Sequence, residues 1–227
     1  LNELKFAKNL AYKFKFHFKA LEWNSKNQKK NSIMQQAREI RYKEIINYCK
    51  DKKIISFMTG HHFDDSLETF VMRKKRKFAT LGLSSIPETH YKKNLQIIRP
   101  LIGIEKKRLI QTCLLKNYKW MDDISNKNSI FERVRIRKEL RVLNKKSRIL
   151  LSNEFKKLKK KNFQIEQKLG LFFVENLMFE EYGKFIVSKQ KIVKIKDYLQ
   201  IEIFKKLLVT CSGNIFPPKT KTISDIL

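Results

Sequence analysis

The first hundred residues alternate between segments with helical spacing and short apolar runs. Residues 3–15 carry apolar side chains every three or four positions, which predicts a helix with one buried face. Residues 54–59 form a short apolar run typical of a buried parallel strand, and residues 95–99 predict a further strand. Helices are expected over residues 32–50 and 64–77. Strands that alternate with helices at this spacing indicate βα units on a mostly parallel sheet.

The rest of the chain is mainly helical by the same criterion. Apolar periodicity predicts helices over residues 105–117, 129–161 and 198–208, and the middle one is long and basic. Two segments with short-period alternation are exceptions: residues 16–23 predict a strand, and residues 184–193 predict a strand pair or an extended segment.

These patterns predict an α/β fold class with two domains. We expect a parallel-sheet domain over residues 1–125 and a mainly helical region over residues 126–227. Ligands of such sheets bind beyond the carboxyl ends of the strands. Residues 60–68 follow one of those ends, so a binding site is expected there.

The charge of the chain indicates a polyanionic partner. There are 51 Lys and Arg residues against 22 Asp and Glu, which gives a formal net charge of +29. Most of the basic residues are Lys, so biased composition supplies part of this excess. A field of that strength still attracts nucleic acid first and an anionic membrane surface second.

Two further features of the sequence bear on the compartment of the protein and on whether it spans a membrane. The chain has no apolar run long enough to cross a bilayer, so no spanning segment is expected. Its three cysteines form no CxxC pair, which argues against a zinc ribbon or a disulfide framework and suits a reducing compartment. We therefore predict a cytoplasmic protein, or an organelle matrix or stroma protein if the gene is organellar. Whether the chain forms a homodimer is left open.

Residues 59–73 (TGHHFDDSLETFVMR) contain the most informative cluster of side chains. Imidazoles and carboxylates crowd a predicted strand-to-helix turn, and Glu68 lies one helical turn after Asp65. Either Asp64 or Asp65 is able to cap the helix, which is the simplest interpretation of one such residue alone. Zinc is a weaker alternative, because no third soft ligand follows at metal-site spacing. We favour a catalytic or binding site for the whole cluster.

Six segments together resemble the tRNA(Ile)-lysidine synthases of the PP-loop ATP pyrophosphatase superfamily. They occur in that family's order and extend over about 110 residues, so the combination is more specific than any one of them. The segments are AREIRY, GHHFDDSLETFVMR, GLSSIP, IIRPLIGIEKKRL, WMDDISN and FERVRIRKEL. Related enzymes that transfer sulfur usually carry paired catalytic cysteines, and this chain has no such pair.

The resemblance implies an incomplete Rossmann-like PP-loop domain and a two-step ligation. ATP adenylates the wobble cytidine of tRNA(Ile) with anticodon CAU, and free lysine then displaces AMP to form lysidine. By this resemblance Asp65, His61 and Glu68 are catalytic, and Asp65 also binds Mg²⁺. ATP-binding residues would be Arg38, Arg41, His62, Asp64 and Arg73. Residues that contact tRNA would be Arg133, Arg135, Arg137 and Lys138. The simplest alternative for the arginines is a solvated basic surface.

Two departures from the family pattern leave other functions open. The nucleotide loop SGGxDS is absent from these 227 residues, and we expect it to lie upstream, so this chain alone is predicted not to cleave ATP at a useful rate. Lys77-Phe78-Ala79 stands where the family usually has Gly-Ser-Gly, which predicts an altered loop. The alternatives are a catalytically inactive tRNA-binding relative and another PP-loop tRNA-modifying enzyme.

Overall fold

The computed structural model describes residues 2–22, 33–78, 81–83, 86–121, 131–181, 184–213 and 217–225. The chain divides into two compact units, Leu1–Ser152 and Asn153–Leu227.

A small mixed sheet lies in the first unit. Its strands are β1 (Ser56–Met58), β2 (Thr89–Lys92) and β3 (Leu95–Ile98), in the order β1-β3-β2. β1 pairs in parallel with β3, with Met58 opposite Ile98, and β2 pairs antiparallel to β3. The predicted parallel pair is therefore confirmed, whereas β2 was not predicted because its four exposed residues show no apolar pattern.

Five helices of the described residues accompany this sheet. They are α1 (Asn2–Lys13), α2 (Ile33–Asp51), α3 (Phe63–Lys75), α4 (Lys106–Leu115) and α5 (Glu132–Val142). The positions of α1 to α4 agree with the sequence prediction to within a few residues. The predicted buried face of α1 is wrong, since none of its residues is buried and Leu4 is 49% exposed.

One face of the sheet packs against α2. Ile46, Cys49 and Leu95 form a buried cluster, against which Ile45 and Phe57 pack. Burial in this cluster raises the pKa of the Cys49 thiol. Residues at both ends of β1 are open: Met58 is 70% exposed, and Ile55, which precedes the strand, is 80% exposed. The expectation that β1 is a buried strand is therefore wrong for much of its length.

The first unit extends beyond the predicted boundary at residue 125. α5 packs against α3 through buried Val134, Ile136 and Leu140, with Leu67 and Phe70 buried on α3. Burial of these apolar side chains ties the basic segment after residue 131 to the sheet domain. The two units therefore divide at Ser152, while the functional division of the chain stays a prediction.

The second unit contains a hairpin and helices. β4 (Leu177–Glu180) pairs antiparallel with β5 (Lys184–Val187). The helices are α6 (Lys145–Asn176), α7 (Lys189–Val193), α8 (Asp197–Ser212) and α9 (Thr220–Ser224). The boundary between the two units falls within α6. The buried side chains of this unit include Phe155, Leu169 and Ile203. The mainly helical second region is confirmed, and no helix of the described residues is long and apolar enough to cross a membrane.

Three predicted elements differ from the structure. Residues 16–22 form no strand, because this exposed segment pairs with no strand of the described sheets. The long basic helix is two helices: Asn144 accepts a hydrogen bond from the Ser147 amide at 2.8 Å and so caps α6. The hairpin begins at Leu177, earlier than predicted, and residues 189–193 are helical. The predicted turn at residues 122–128 lies outside the described residues.

Candidate active site at the carboxyl ends of β1 and β3

The chain turns from β1 into α3 through His61 and His62, and Asp65 closes that turn. The amide of His62, which precedes the helix, donates a hydrogen bond to Asp65 Oδ2 at 2.9 Å. This carboxylate therefore caps the first turn of α3, as one sequence interpretation proposed. Asp65 Oδ2 also lies 3.5 Å from His62 Nδ1. Since the cap uses Oδ2, it leaves Oδ1 for a further interaction.

Asp64 ties three segments together. Its Oδ2 accepts a hydrogen bond of 2.7 Å from the amide of Lys106, the first residue of α4. Its Oδ1 accepts one of 2.7 Å from the Arg148 guanidinium in α6. Next to it, the amide of Phe63 donates to the Ile104 carbonyl at 3.0 Å. These contacts fix the start of α3 against the start of α4, and they engage both oxygens of Asp64.

Glu68 and Arg137 form a buried ion pair between α3 and α5. Arg137 Nε donates to Glu68 Oε1 at 2.7 Å, and a terminal nitrogen of Arg137 donates to Oε2 at 3.2 Å. Glu68 is only 2% exposed. The hydrogen bond to Glu68 raises the pKa of the Arg137 guanidinium above its ordinary value. The Arg137 guanidinium therefore stays charged, and its two hydrogen bonds to Glu68 link α3 to α5.

A cavity of about 400 Å³ opens beside this pair. Its lining combines carboxylates with a larger number of cations. The polar and charged side chains of its lining are His62, Asp64, Glu68, Lys106, Lys107, Gln111, Arg137, Arg141 and Arg148. A ligand with both a positive and a negative end would meet complementary charge here. Asp65 is not among the residues that line this cavity.

A second group of side chains surrounds His61. Its Nδ1 lies 2.8 Å from the Thr59 hydroxyl, which leaves Nε2 as the outward nitrogen. Burial lowers the pKa of His61, the negative charge of Asp65 opposes this, and the positive charges of Arg99, Arg38 and Arg133 lower it further. The imidazole is therefore neutral near pH 7. Three arginines and one carboxylate give this group a positive field.

The other predicted site residues have separate positions. Arg133 donates to the Thr69 hydroxyl at 3.2 Å, and Arg38 stacks on Tyr42 with 5.7 Å between the guanidinium carbon and the ring centroid. Arg41 is exposed on α2, Arg73 is half-buried on α3, and Arg135 and Lys138 are exposed on α5. Burial lowers the pKa of the Arg73 guanidinium from its ordinary value. The charges of Asp65, Arg38 and Arg133 thus act on His61, and His62, Asp64, Glu68 and Arg137 line one cavity.

The donor set suits magnesium better than zinc. Among the described residues, no group of three His, Cys, Asp or Glu side chains converges as a metal cage. Mg²⁺ needs fewer protein ligands, because it commonly binds one or two carboxylates together with substrate phosphates. Asp65 Oδ1 is a carboxylate oxygen of that kind. These residues therefore fit a magnesium ion that arrives with a nucleotide.

The loop after α3 keeps a glycine-like backbone without glycine. Lys77 has φ 55°, in the left-handed region that costs about 1–2 kcal/mol for a residue with a side chain. Gly82 lies so close to Phe78 that a Cβ on the glycine would approach the Phe78 Cδ1 to 3.1 Å. Lys77 therefore adopts a left-handed backbone, and Phe78 lies against Gly82.

A family model described as "PP-loop domain" matches residues 2–143 of the chain, which is more than half of it. The chain belongs to the PP-loop domain family. This assignment confirms the resemblance on which the sequence analysis relied. The PP-loop domain match spans α1 to α5 and the sheet, and therefore both groups of site residues except Arg148.

Curated proteins named tRNA(Ile)-lysidine synthase are similar to most of the chain. The protein of Rickettsia bellii (strain OSU 85-389) is 28% identical over 228 residues, which covers 99% of this chain and 52% of the relative. The protein of Rickettsia felis is 30% identical over 208 residues, which covers 87% of this chain and 46% of the relative. The protein of Orientia tsutsugamushi is 35% identical over 136 residues, which covers 60% of this chain and 30% of the relative. The chain spans about half the length of the curated relatives it matches, or less.

Two functional candidates were missed by sequence reasoning. Arg99 was part of a matching segment but had no assigned role, although its place at the carboxyl end of a predicted strand is a signal for a site residue. Arg148 reaches Asp64 from α6, 84 positions away in the chain. No local pattern predicts such a long-range contact.

Proposed function

We propose that this protein ligates free lysine to C2 of the wobble cytidine in tRNA(Ile) with anticodon CAU, using ATP. The observation that carries the proposal is the turn from β1 into α3, where His61, Asp65 and Glu68 follow the carboxyl end of a parallel strand. The names of the relatives and the PP-loop match support the same reaction. ATP use, tRNA modification and lysine as substrate are all parts of this proposal.

The reaction forms and breaks two bonds in sequence. The cytosine O2 attacks the α-phosphorus of ATP, the bond to pyrophosphate breaks, and an adenylated base results. The ε-nitrogen of lysine then attacks C2, and the C2–O bond to AMP breaks. The amine is protonated at pH 7 and has to lose a proton before it attacks. Asp65 is the carboxylate that we assign to this proton, with its Oδ2 held by the His62 amide.

The lysine substrate suits the cavity beside Glu68. An amino acid presents a carboxylate and ammonium groups, and the cavity lining offers Lys106 and Lys107 for the former and carboxylates for the latter. Because Arg137 already pairs with Glu68, we assign Glu68 the role of shaping the negative side of the cavity. Mg²⁺, when bound with ATP, would neutralise phosphate charge near Asp65.

The tRNA backbone suits the exposed face of α5. Arg135, Lys138 and Arg141 are exposed at spacings of three residues, so they lie along one side of the helix. Such a row of cations is suited to phosphate contacts, which position RNA without reading its sequence. Arg133 and Arg137 instead hold Thr69 and Glu68, so we assign them to the site rather than to the outer surface.

A catalytically inactive tRNA-binding protein is the second candidate. It is favoured by one observation, the row of exposed cations on α5, because such a row binds phosphates whether or not ATP is consumed. Such a protein would retain the basic face of α5 and would bind tRNA without consuming ATP.

Release of pyrophosphate separates the two candidates. The polypeptide that carries these residues in the cell should release pyrophosphate from ATP only when tRNA(Ile) is present. Asp65→Asn should lower this rate by about 10²–10³-fold, because the carboxylate that would hold Mg²⁺ at the ATP phosphates is lost while the amide oxygen still accepts the cap hydrogen bond. Asp51→Asn, an exposed position at the end of α2, is the matched control. Equal rates for both variants would reduce Asp65 to a helix cap.

A further inference from the structure

Arg99 is a buried cation without a carboxylate partner. The residue follows β3 and is 4% exposed. Its side chain donates one hydrogen bond, from a terminal nitrogen to the Pro87 carbonyl at 2.8 Å. Its Nε is buried and has no hydrogen-bond partner. None of the ion pairs in the described part of the chain includes Arg99.

Burying a guanidinium in this position costs free energy unless an anion pairs with it. Arg keeps its charge at any pH that a protein tolerates, so it cannot escape burial by losing a proton. Buried charges are accordingly paired or bind a ligand. The neutral carbonyl of Pro87 satisfies one of five N–H donors. The side chain is therefore built to receive an anion.

The parallel register places Arg99 beside the His61 group. Met58 lies opposite Ile98, and the amide of Thr59 donates to the Ile98 carbonyl at 2.9 Å. The next residues on the two strands, Thr59 to His61 on one and Arg99 on the other, therefore emerge at the same sheet edge. The positive charge of Arg99 acts on His61 together with those of Arg38 and Arg133. Among the described residues, three positive charges and one carboxylate, Asp65, act on His61.

We propose that the guanidinium of Arg99 binds a phosphate group of the nucleotide at this sheet edge. The inference rests on the proposed function and assigns a phosphate contact to a residue to which sequence reasoning assigned no role. The group that a planar guanidinium would bind here is an oxyanion, and phosphate is one source of it. A carboxylate, such as that of lysine, is the other source of an oxyanion. The excess of three arginines over one carboxylate favours phosphate, because phosphate groups carry more charge than a carboxylate.

Calorimetry with small anions tests this contact in the absence of tRNA. The probes are pyrophosphate, AMP and free lysine, each titrated into wild-type protein, Arg99→Gln, Arg99→Lys and Arg108→Gln. Arg108 is exposed on α4, so its substitution changes the net charge equally without touching the sheet edge. We expect Arg99→Gln to weaken pyrophosphate or AMP binding by roughly 10- to 100-fold, as for a lost charged hydrogen bond. Arg99→Lys should weaken it less, and Arg108→Gln should leave it within about twofold.

Nuclear magnetic resonance of the wild-type protein gives a readout that does not depend on a variant's folding. The Nε–H signal of Arg99, assigned by through-bond correlation, should shift when pyrophosphate or AMP is added and stay in place when lysine is added. A shift with lysine alone would assign the site to a carboxylate and overturn the phosphate proposal. An unmoved signal with all probes, or equal affinities for Arg99→Gln and Arg108→Gln, would leave Arg99 as a purely structural residue. Because neither tRNA nor turnover is involved, a failure to form lysidine would not affect this result.

Discussion

Removal of Arg137 should destabilise the first unit more than removal of an equally close but exposed cation. In Arg137→Ala, the Glu68 carboxylate stays in a site where it is 2% exposed and loses both guanidinium hydrogen bonds. Removing one partner of a buried ion pair costs about 3–5 kcal/mol. A quarter of the Arg137 side chain is exposed, so water partly replaces it. We expect a loss of about 3 kcal/mol in the free energy of unfolding, at the low end of that range.

The matched control lies between the same two helices. Lys75 on α3 donates to Glu139 on α5 at 2.7 Å, and both side chains are about half exposed. Lys75→Ala should cost less than about 1 kcal/mol, because solvent screens an exposed pair. The two variants remove one cation each from the α3–α5 contact, so their difference isolates the effect of burial.

Urea unfolding followed by tryptophan fluorescence is the appropriate assay. Both tryptophans, Trp23 and Trp120, fall within Leu1–Ser152, so fluorescence reports on the first unit. The double variant Glu68→Gln with Arg137→Met should recover much of the loss, since no buried charge is left unpaired. Equal midpoint shifts for Arg137→Ala and Lys75→Ala would refute the argument that burial makes this pair important.

Two further predictions concern RNA binding and pH. Reversing the charge at Arg135, Lys138 and Arg141 should weaken tRNA binding and lower the slope of log affinity against log salt by about two to three units. The same reversal at the exposed residues Lys159, Lys160 and Lys161 should change the slope less. If filter-binding titrations gave equal changes for both triple variants, the effect would come from net charge alone. For His61, burial puts the folded-state pKa below the ordinary value of 6.5, so the unfolded chain binds more protons and stability falls as pH decreases through that value. His61→Gln should therefore flatten the decline in thermal stability between about pH 7 and 5, while His17→Gln at an exposed position should not. Parallel stability curves for the wild-type protein and His61→Gln would show that His61 does not contribute to this decline.

Local patterns predicted much of the PP-loop domain. The apolar run over residues 54–59 and the apolar spacing of α2 to α4 are short-range signals, and the structure has these elements near the expected positions. The strand predicted over residues 16–23 was wrong because alternating apolar and polar side chains do not form a strand without a neighbouring strand to pair with. The break between α5 and α6 was signalled by Asn144, a good helix cap, but uninterrupted basic character hid it.

The candidate site was predictable in its location and less so in its contacts. The motif around Asp65 identified the sheet edge, because strand ends and helix starts are local features. The partners of that motif come from distant parts of the chain: Arg137 binds Glu68 across 69 positions, and Arg148 binds Asp64 across 84. A single sequence contains no information about which of many basic residues makes such a contact. The roles of the site residues therefore stay proposals.

Transfer of radiolabelled lysine to tRNA tests the central claim most directly. The polypeptide that carries these residues in the cell is incubated with ATP, labelled lysine and transcripts of tRNA(Ile) that have either C or U at the wobble position. The proposed ligation predicts label in the C transcript only, dependent on ATP and sharply reduced by Asp65→Asn. Tight binding of both transcripts with no label in either would contradict the ligase assignment and would identify a tRNA-binding protein without catalysis.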